Sequence, residues 1–432
     1  VSYMIYKNGS YLTTVTGTSY VDNGVIPNTQ YSYTIVATNN MVVDSDPSNA
    51  ATATTSTSGT PSTGTIESAY WNWVGGSGTG GQSQSPVYGT KGVEDPSNTP
   101  GSRQGHITWT DSSGNLWLYG GYVDVYYPAG RVDDVWRYNP STGNWAWMAG
   151  KNYASADPTY GSQGTFGSGY TPGGRSMSAF WNDGNGSFWI FGGIKDVPNA
   201  AYTTFSDLWK FDYNPSSPTY CQWAWMGGSQ TTDAAGVHNG VGNSSTSNRP
   251  GGRHSGASWY DSAGYIYLFG GIGHDLTHNG YGSTTLLNDM WRYEVSTGKW
   301  NCLSDNDTSV YLTAKPLARQ DLSWWKDLSG NFWLYGGTGY SSTGWGEFND
   351  LWKYNVQSGW TKITGVATGF TTSTNIKSSV GLGIEDLSNT PGARRGHKGC
   401  CDSNGNFWIF GGSIGLDQLN DFWKFNPTSG KW

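Results

Sequence analysis

The sequence predicts an all-β chain in which a four-stranded unit is repeated, and three observations support this prediction. The 432 residues include 64 Gly, 24 Trp and 28 Tyr but only 13% charged residues, against averages of roughly 7% Gly and about 25% charged residues. No long segment has the apolar periodicity of a helix. A turn, an aromatic strand and a Gly pair recur along the chain, ending at Gly120-Gly121, Gly192-Gly193, Gly270-Gly271, Gly336-Gly337 and Gly411-Gly412. Short strands and tight turns are therefore expected throughout.

Residues 1–56 differ from the remainder because they contain no Trp and alternate between strand-forming residues and turns such as KNGS. The stretch YMIYKNGSYLTTVTGTSYVDNGVIPNTQYSYTIVATN resembles the second half of a fibronectin type III domain, with Tyr31 at the position of that family's tyrosine corner. The resemblance implies a partial β-sandwich over 1–56. We expect the chain to be a fragment that has lost its N-terminal part. A Ser/Thr/Gly/Pro linker is predicted at 57–67.

From residue 68 onward each repeat contains four predicted strands. The first follows a Pro-Gly-x-Arg sequence, the second ends in the Gly pair, the third is led by Asp and the fourth is short and Trp-rich. Segments such as LWLYGG are apolar on both faces, which indicates strands covered on both sides. Turns such as DSSGN join them because Asp binds its own backbone and Gly or Asn accepts a positive φ. Four-stranded blades packed face to face around an axis satisfy this pattern.

These repeats resemble the kelch family of β-propellers over residues 68–432. The resemblance implies a kelch-like propeller of five visible repeats, each longer than the typical ~50 residues of that family. YWNWVGG at 70–76 looks like a fourth strand, and the last repeat stops at Trp432 where its own fourth strand should begin. We expect a chain cut at both ends and an incomplete ring, and a five-bladed ring closed by the N-terminal strand is the alternative.

Strand order predicts a binding surface on one face of the blades. Because the strands alternate in direction, the short 1–2 and 3–4 turns share one face, while the long 2–3 loops and 4–1 connections share the other. Variable loops on a rigid scaffold are a common form of binding surface. Aromatic side chains there could stack on sugars or anchor a protein partner, or they could pin the loops to the scaffold. The candidate ligand-binding residues are Trp345, Tyr126, Tyr127, Tyr340, Tyr153 and Tyr160.

One Arg and one Asp recur in every repeat. The arginines are Arg103, Arg175, Arg253, Arg319 and Arg394, and the aspartates are Asp134, Asp207, Asp289, Asp350 and Asp421. Arginines in a central channel could bind an anion or an acidic glycan. Pairing between the two sets is the interpretation we favour, because a structural role is needed once in each blade whereas a catalytic group is needed once in a protein.

No metal or cofactor is predicted. The four cysteines lack zinc-ligand spacing and are expected to be buried thiols, with a Cys221–Cys302 disulfide as the alternative. His106 and His397 share a repeat position, which indicates a structural role, and the pair His274 and His278 lies in a Gly-rich loop that makes a poor metal site. The oxygen-rich runs at 182–187 and 304–309 could hold Ca²⁺, although such runs are more often solvated turns.

The predicted function is non-catalytic: adhesion, surface assembly, or recognition of a glycan or protein through the long-loop face. A carbohydrate-active enzyme is the alternative, because galactose oxidase shares the kelch fold, but its copper-radical residues cannot be assembled from this sequence and fold alone transfers no chemistry. A hydrolase, and a structural subunit of an extracellular filament that self-assembles, also remain open. With a net charge of −7 and no Lys/Arg run or long apolar run, no nucleic-acid partner and no membrane span are expected. The fibronectin-like segment implies a secreted or cell-surface location.

Overall fold

The structure is a computed structural model whose described residues form two compact units, Val1–Gly75 and Gly76–Trp432. They consist of strands and turns without a helix, so none of these residues lies in a helix that could cross a membrane. The predicted boundaries at 56/57 and 67/68 remain predictions. The described residues are 2–17, 19–20, 22, 29–38, 45, 47–54, 74–76, 83–124, 129–197, 200–276, 284–307, 309, 314–365 and 384–432.

The N-terminal unit contains one antiparallel sheet of order β2-β1-β3-β4. Asn8 and Gly9, with φ of 51° and 79°, make the tight turn between the first two strands, as a primed hairpin turn requires. Tyr31 is buried beneath the ammonium of Lys7, while the Tyr33 hydroxyl donates to Asp22. The described residues of this unit contain no second sheet, so the partial sandwich stays a prediction. The strands are β1 Ser2–Lys7, β2 Ser10–Val15, β3 Gln30–Thr38 and β4 Ala51–Thr54.

The second unit contains five successive groups of antiparallel strands, which we call blades 1 to 5. Blade 1 comprises β5 Glu94–Asp95, β6 Ile107–Thr110, β7 Leu116–Tyr119, β8 Tyr122–Val123, β9 Gly130–Arg131, β10 Val135–Asn139 and β11 Asn144–Ala149. Blade 2 comprises β12 Phe166–Gly167, β13 Ala179–Asn182, β14 Ser187–Phe191, β15 Ile194–Val197, β16 Ala200–Thr204, β17 Ser206–Asp212 and β18 Gln222–Ser229. Blade 3 comprises β19 Ser244–Ser245, β20 Arg253–His254, β21 Ala257–Tyr260, β22 Tyr265–Gly273, β23 Thr285–Glu294 and β24 Lys299–Ser304.

Blades 4 and 5 repeat the same plan. Blade 4 comprises β25 Arg319–Gln320, β26 Ser323–Lys326, β27 Phe332–Tyr335, β28 Thr338–Ser341, β29 Gly344–Glu347, β30 Leu351–Asn355 and β31 Gly359–Thr364. Blade 5 comprises β32 Lys398–Cys401, β33 Phe407–Phe410, β34 Ser413–Ile414, β35 Asp417–Gln418 and β36 Phe422–Phe425. Its fourth strand is represented by a bridge between Asn426 and Lys431 and by buried Trp432, whose carbonyl accepts hydrogen bonds from Asp386 and Asn389.

Adjacent blades are held together by aromatic cores. Four clusters join blade 1 to 2, 2 to 3, 3 to 4 and 4 to 5. In the first, the Trp109 and Phe188 rings stack with centroids 3.9 Å apart. In the last, Trp325 stacks on Phe407 at 5.0 Å. These contacts cover both faces of the inner strands, which explains their continuous apolar sequences. The described residues include no such cluster between blade 5 and blade 1, so no closed ring is detected.

The 4–1 connections are more regular than the sequence suggested. In blades 1 to 3 each one adds a two-residue strand, β5, β12 or β19, to the outer edge of the fourth strand. In blades 1, 3 and 5 an asparagine side chain then ties the connection to that strand: Asn98 donates to Trp145 O, Asn248 to Trp300 O and Asn389 to Trp432 O. These long connections therefore use their polar groups in the same way in several repeats.

All four cysteines are free thiols, so the Cys221–Cys302 disulfide considered from the sequence is not formed. The expectation of buried thiols holds for Cys302 but not for Cys400 and Cys401, which are exposed. The latter two lie in β32, the first strand of blade 5, all of whose residues are exposed.

Candidate functional site

Each blade contains an ion pair, largely shielded from solvent, that joins the segment leading into its first strand to the region where its third strand begins. In every case the guanidinium also donates to the carbonyl of the first glycine of the Gly pair, and the carboxylate accepts the indole N–H of the tryptophan two residues further on. The N–O distances are 2.7 Å for Arg103–Asp134, 2.7 Å for Arg175–Asp207, 2.6 Å for Arg253–Asp289, 2.6 Å for Arg319–Asp350 and 2.7 Å for Arg394–Asp421.

The environment of these pairs shows what they do. Burial opposes the charge on Arg175, but the attraction and hydrogen bonds of Asp207 outweigh it and raise the pKa of the guanidinium. All five repeat arginines are thus paired with partners in their own blades and do not direct an uncompensated charge into a channel. This geometry matches a structural role repeated once in each blade.

The oxygen-rich run at 182–187 is largely occupied by hydrogen bonds to its own turn. In the turn at 182–187, one Asp183 carboxylate oxygen accepts the N–H groups of Asn185 and Ser187, and the other accepts the indole N–H of Trp189. The same arrangement occurs around Asp111, Asp327 and Asp402. These carboxylates fold the 1–2 turns, so a Ca²⁺ role at 182–187 gains no support from their geometry.

The 2–3 connections, predicted as loops, are β-hairpins in all five blades. They are formed by β8–β9, by β15–β16, by the ends of β22 and β23, by β28–β29 and by β34–β35. A hairpin satisfies its own backbone hydrogen bonds, so it can project beyond the blade and still hold its side chains in fixed positions. The predicted long-loop face is therefore built from hairpins, and we call it the hairpin face.

A cavity of about 340 Å³ lies between the hairpins of blades 2, 3 and 4. Trp345 and Tyr340 from β28–β29 form one wall, with their rings edge to face at 5.0 Å. Tyr202 of β16 also lines the cavity and packs against the buried ring of His254, with centroids 5.3 Å apart. The remaining lining residues are Ile272, Thr284, Thr285, Leu286, Ser309 and Ala318.

The chemistry of this cavity is aromatic and uncharged. Among the described residues that line it there is no Asp, Glu, Lys, Arg or His side chain. Burial raises the pKa of the Tyr202 phenol, so that group stays protonated at neutral pH. Tyr340 is 59% exposed and offers ring surface to solvent. Such a cavity can enclose an apolar or aromatic group and bind it through ring faces and hydroxyls.

The structure brings two of the sequence-predicted candidates together and separates the others. Trp345 and Tyr340 share the cavity. Tyr160 lies in the aromatic cluster of its own blade, where its hydroxyl donates to Asp207 and its ring packs on Trp209. Tyr153 is exposed outside the cavity. Tyr126 and Tyr127 lie outside the described residues.

Tyr202 is the lining residue that sequence reasoning missed. Its signal was present, because it stands in the 2–3 connection of blade 2 as Tyr340 and Trp345 stand in that of blade 4. A comparison of connections by their distance from the Gly pair could have selected it. Such a comparison could not have predicted that the hairpins of blades 2, 3 and 4 meet at one cavity, because their meeting depends on how successive blades pack.

Comparisons with known proteins agree with this fold. The profile of the family described as "Kelch motif" matches residues 394–432. The chain is similar to Kelch domain-containing protein 10 of Homo sapiens and of Bos taurus, 25% identical over 342 residues, which covers 77% of this chain and 60% of each relative. The chain thus spans about 60% of the length of these curated relatives. These matches support a kelch-repeat β-propeller.

Two further similarities were found. Poly(3-hydroxybutyrate) depolymerase of Ralstonia pickettii is 46% identical over 54 residues, 12% of this chain and 11% of the relative. The solved structure titled "Structure of YjhT" has a TM-score of 0.47 and 14% identity, and the match covers 75% of this chain and 82% of that one.

Proposed function

We propose that this chain is a non-catalytic recognition protein whose kelch-repeat propeller binds a protein partner through the hairpin face. The observation that carries the proposal is the cavity in which Trp345, Tyr340 and Tyr202 converge. It is placed on three different blades, so its shape is fixed by the packing of the scaffold. Large aromatic side chains around a partly enclosed pocket are the typical composition of a binding hot spot.

The lining favours binding over catalysis. Acid–base chemistry needs groups that exchange protons near neutral pH, such as imidazoles or paired carboxylates, and the described lining of the cavity contains neither. The carbohydrate-active alternative would require such a pair on this face. A bound group would instead be held by ring faces and by the hydroxyls of Thr284 and Thr285.

A protein is the ligand class that we favour. The cavity volume of about 340 Å³ lies at the lower end of the range for small-molecule sites and suits one large apolar side chain of a partner segment. The relatives that cover most of this chain are named for kelch domains, and kelch repeats are commonly protein-interaction modules. A glycan stacked on the exposed Tyr340 ring is the competing ligand that the experiment must separate.

The location proposed for this activity is outside the cell or at the cell surface. This part of the proposal rests on the resemblance of residues 1–56 to a fibronectin type III module, which is commonly a spacer in extracellular proteins. Adhesion or assembly with other copies would use the same hairpin face. Detection of the native protein in intact, unpermeabilised cells or in the culture medium tests the location independently of the ligand.

The binding proposal is tested by selecting a displayed random-peptide library on the purified chain and by probing a glycan array in parallel. We expect selected peptides that share an aromatic or large aliphatic residue. Their affinity should fall at least about tenfold in Trp345→Ala and Tyr340→Ala, as for hot-spot residues, and stay unchanged in Tyr153→Ala, which removes an exposed tyrosine outside the cavity.

A second variant protects the test from misfolding. Ala318→Trp fills the cavity without removing an existing aromatic contact, and it should abolish peptide binding while thermal unfolding stays close to that of the unmodified chain. Glycan binding lost in the same variants would replace the protein partner by a sugar. Peptide binding that survives Ala318→Trp would show that the cavity is not the binding site.

A further inference from the structure

Blade 3 departs from blades 1 and 2 at one place on its outer edge. In blade 1, Tyr88 packs against Trp136 and Trp147 at 5.1 and 5.0 Å, and in blade 2 Tyr160 occupies the same place. The residues that precede Tyr88 and Tyr160 form the bridges Val87–Thr99 and Thr159–Thr171. The equivalent bridge of blade 3 is Val237–Arg249, so the residue in the tyrosine position is His238.

Two neighbouring positions change with it. Trp136 pairs with Trp147 in blade 1, whereas the matching Trp291 of blade 3 pairs with Cys302. The fourth strands of blades 1 and 4 are each followed by a glycine. Gly150 comes directly after Ala149, which pairs with Val135, and Gly365 comes directly after Thr364, which pairs with Leu351. In blade 3 the residue at this position is Asp305, which comes directly after Ser304, the partner of Met290. Tyrosine, tryptophan and glycine are thus replaced together by histidine, cysteine and aspartate.

The three replacing side chains converge. One ligand atom from each of His238, Cys302 and Asp305 lies within 4.8 Å of the other two. His238 Nε2 is 2.6 Å from Asp305 Oδ1, and Cys302 Sγ is 3.6 Å from the same oxygen. Beside them, where the aromatic cluster of blades 1 and 2 is lost, lies a cavity of about 240 Å³ lined by Asp275, Asp289, Trp291, Asp305 and Asn306, together with Gly236 and Leu276.

We propose that His238, Cys302 and Asp305 form a site for a divalent transition metal of the Zn²⁺ class, with an open coordination position facing this cavity. An imidazole, a thiolate and a carboxylate together are the donor types that Zn²⁺ uses. Zinc sites with three protein ligands keep the fourth position for water or a bound molecule, whereas purely structural sites are closed by four protein ligands. The inference does not depend on the proposed partner-binding cavity, which has different lining residues.

Charge and proton balance agree with a divalent cation. Binding releases the Cys302 thiol proton to solvent, so the thiolate and the Asp305 carboxylate balance the two positive charges. Lys315 donates to the backbone carbonyls of Asp305 and Asn288, while Asp289 is held by Arg253.

Histidine ligation requires one local change. Nδ1 of His238 accepts the Gly240 N–H at 3.0 Å, so Nε2 carries the ring proton that it shares with Asp305. A metal on Nε2 moves that proton to Nδ1, and the Gly240 N–H must then turn away. Gly240 has a φ of +115°, and a glycine allows this rotation at low cost.

The test uses Co²⁺ as a spectroscopic substitute for Zn²⁺ on the full chain. Cys400→Ser/Cys401→Ser serves as the background, because those exposed thiols could bind metal themselves. We expect one equivalent of Co²⁺ with a thiolate-to-cobalt charge-transfer absorption, displaced by one equivalent of Zn²⁺. Cys302→Ser should abolish the absorption, and Asp305→Asn should weaken the affinity about tenfold or more. The matched control Cys221→Ser, which removes a thiol at a distance in blade 2, should leave it unchanged.

A third variant guards against loss of folding. His238→Tyr/Cys302→Trp restores the aromatic set of blades 1 and 2, and it should keep the thermal unfolding temperature while it loses the metal. Absence of the charge-transfer absorption in the background protein would overturn the proposal. So would an absorption that persists in Cys302→Ser or in the restored variant.

Discussion

At the scale of single residues, residues that recur in every blade can be distinguished as structural from those that occur in one blade and are candidates for function. The Arg–Asp–Trp arrangement occurs once in each blade with the same partners, as a structural element must. The sequence was sufficient to predict the pairing, because the two residues recur at matching places in every repeat. The Tyr340–Trp345 pair and the His238–Cys302–Asp305 cluster occur in one blade each, and this is what makes them candidates for function.

The first prediction concerns the charge of one buried pair. Asp350 is fully buried and holds Arg319 through two hydrogen bonds of 2.6 and 2.8 Å. Asp350→Asn leaves the buried guanidinium uncompensated, so we expect the free energy of unfolding to fall by about 3–5 kcal/mol. Denaturant unfolding followed by Trp fluorescence measures the change.

The control for this experiment is an ion pair that is open to water. Asp157, the partner of Lys195, has an 80% exposed side chain, and Lys195→Met should change the free energy of unfolding by about 0.5 kcal/mol or less. If Asp350→Asn were as mild as Lys195→Met, the repeated pairs would contribute little to stability and their role would have to be reconsidered.

At the scale of elements, the Gly pair explains how one blade is joined to the next. Gly192 N–H donates to Asp207 O in its own blade, and Gly193 N–H donates to Arg253 O at the start of blade 3. Both have positive φ, 68° and 100°, and a Cβ on Gly192 would lie 2.4 Å from Arg253 O. The pair is therefore a site of close approach between backbones, which only glycine permits.

The second prediction separates that close approach from backbone conformation. Gly164 has a similar φ of +76°, but a Cβ added to it would meet no atom within 4 Å. Gly164→Ala should cost about 1–2 kcal/mol from the left-handed conformation alone. Gly192→Ala should cost at least about 2 kcal/mol more, because the methyl group also pushes the Arg253 peptide away. Thermal unfolding of both variants gives the difference, and equal losses would refute the role of the contact.

Elements also show where sequence reasoning reached its limit. Aromatic strands, turns and Gly pairs were predictable because each has a local signal in its residues. The strands β5, β12 and β19 have two residues each, too few for any periodicity. In blades 1 and 3 the side chains of Asn98 and Asn248 also tie the connection to the fourth strand. The hairpins of the 2–3 connections were also not predicted, because their polar sequences resemble those of loops.

At the scale of the whole molecule, the cavity and the metal-ligand cluster depend on contacts that no local pattern encodes. Trp345 and Tyr340 were predicted as ligand-binding candidates, but their approach to Tyr202 results from the packing of blade 4 beside blades 3 and 2. His238 and Cys302 are 64 residues apart in sequence numbering and meet because the 4–1 connection runs along the fourth strand. Spacing rules for metal motifs cannot detect such a pair.

The last prediction concerns how stability is distributed along the propeller. Each aromatic core joins consecutive blades, with one additional ring contact between Phe180 of blade 2 and Trp324 of blade 4. This resembles repeat proteins whose stability is a sum of units and nearest-neighbour interfaces. Phe188→Ala empties the core between blades 1 and 2, where the Phe188 ring stacks on Trp109, and should cost about 3–5 kcal/mol locally. Hydrogen exchange followed by mass spectrometry should show faster exchange in β6, β7, β14 and β17, while β27 and β30 stay protected.

Phe407→Ala supplies the mirror-image control, because it empties the core between blades 4 and 5, where the ring stacks on Trp325. It should accelerate exchange in β27, β30 and β33 and spare blade 1. If both variants raised exchange uniformly across all five blades, the propeller would unfold as one cooperative body. That result would require stabilising contacts between blade 5 and blade 1 in addition to the cores seen in the described residues. With those cores alone, a local loss of packing would affect mainly the two blades that share the core.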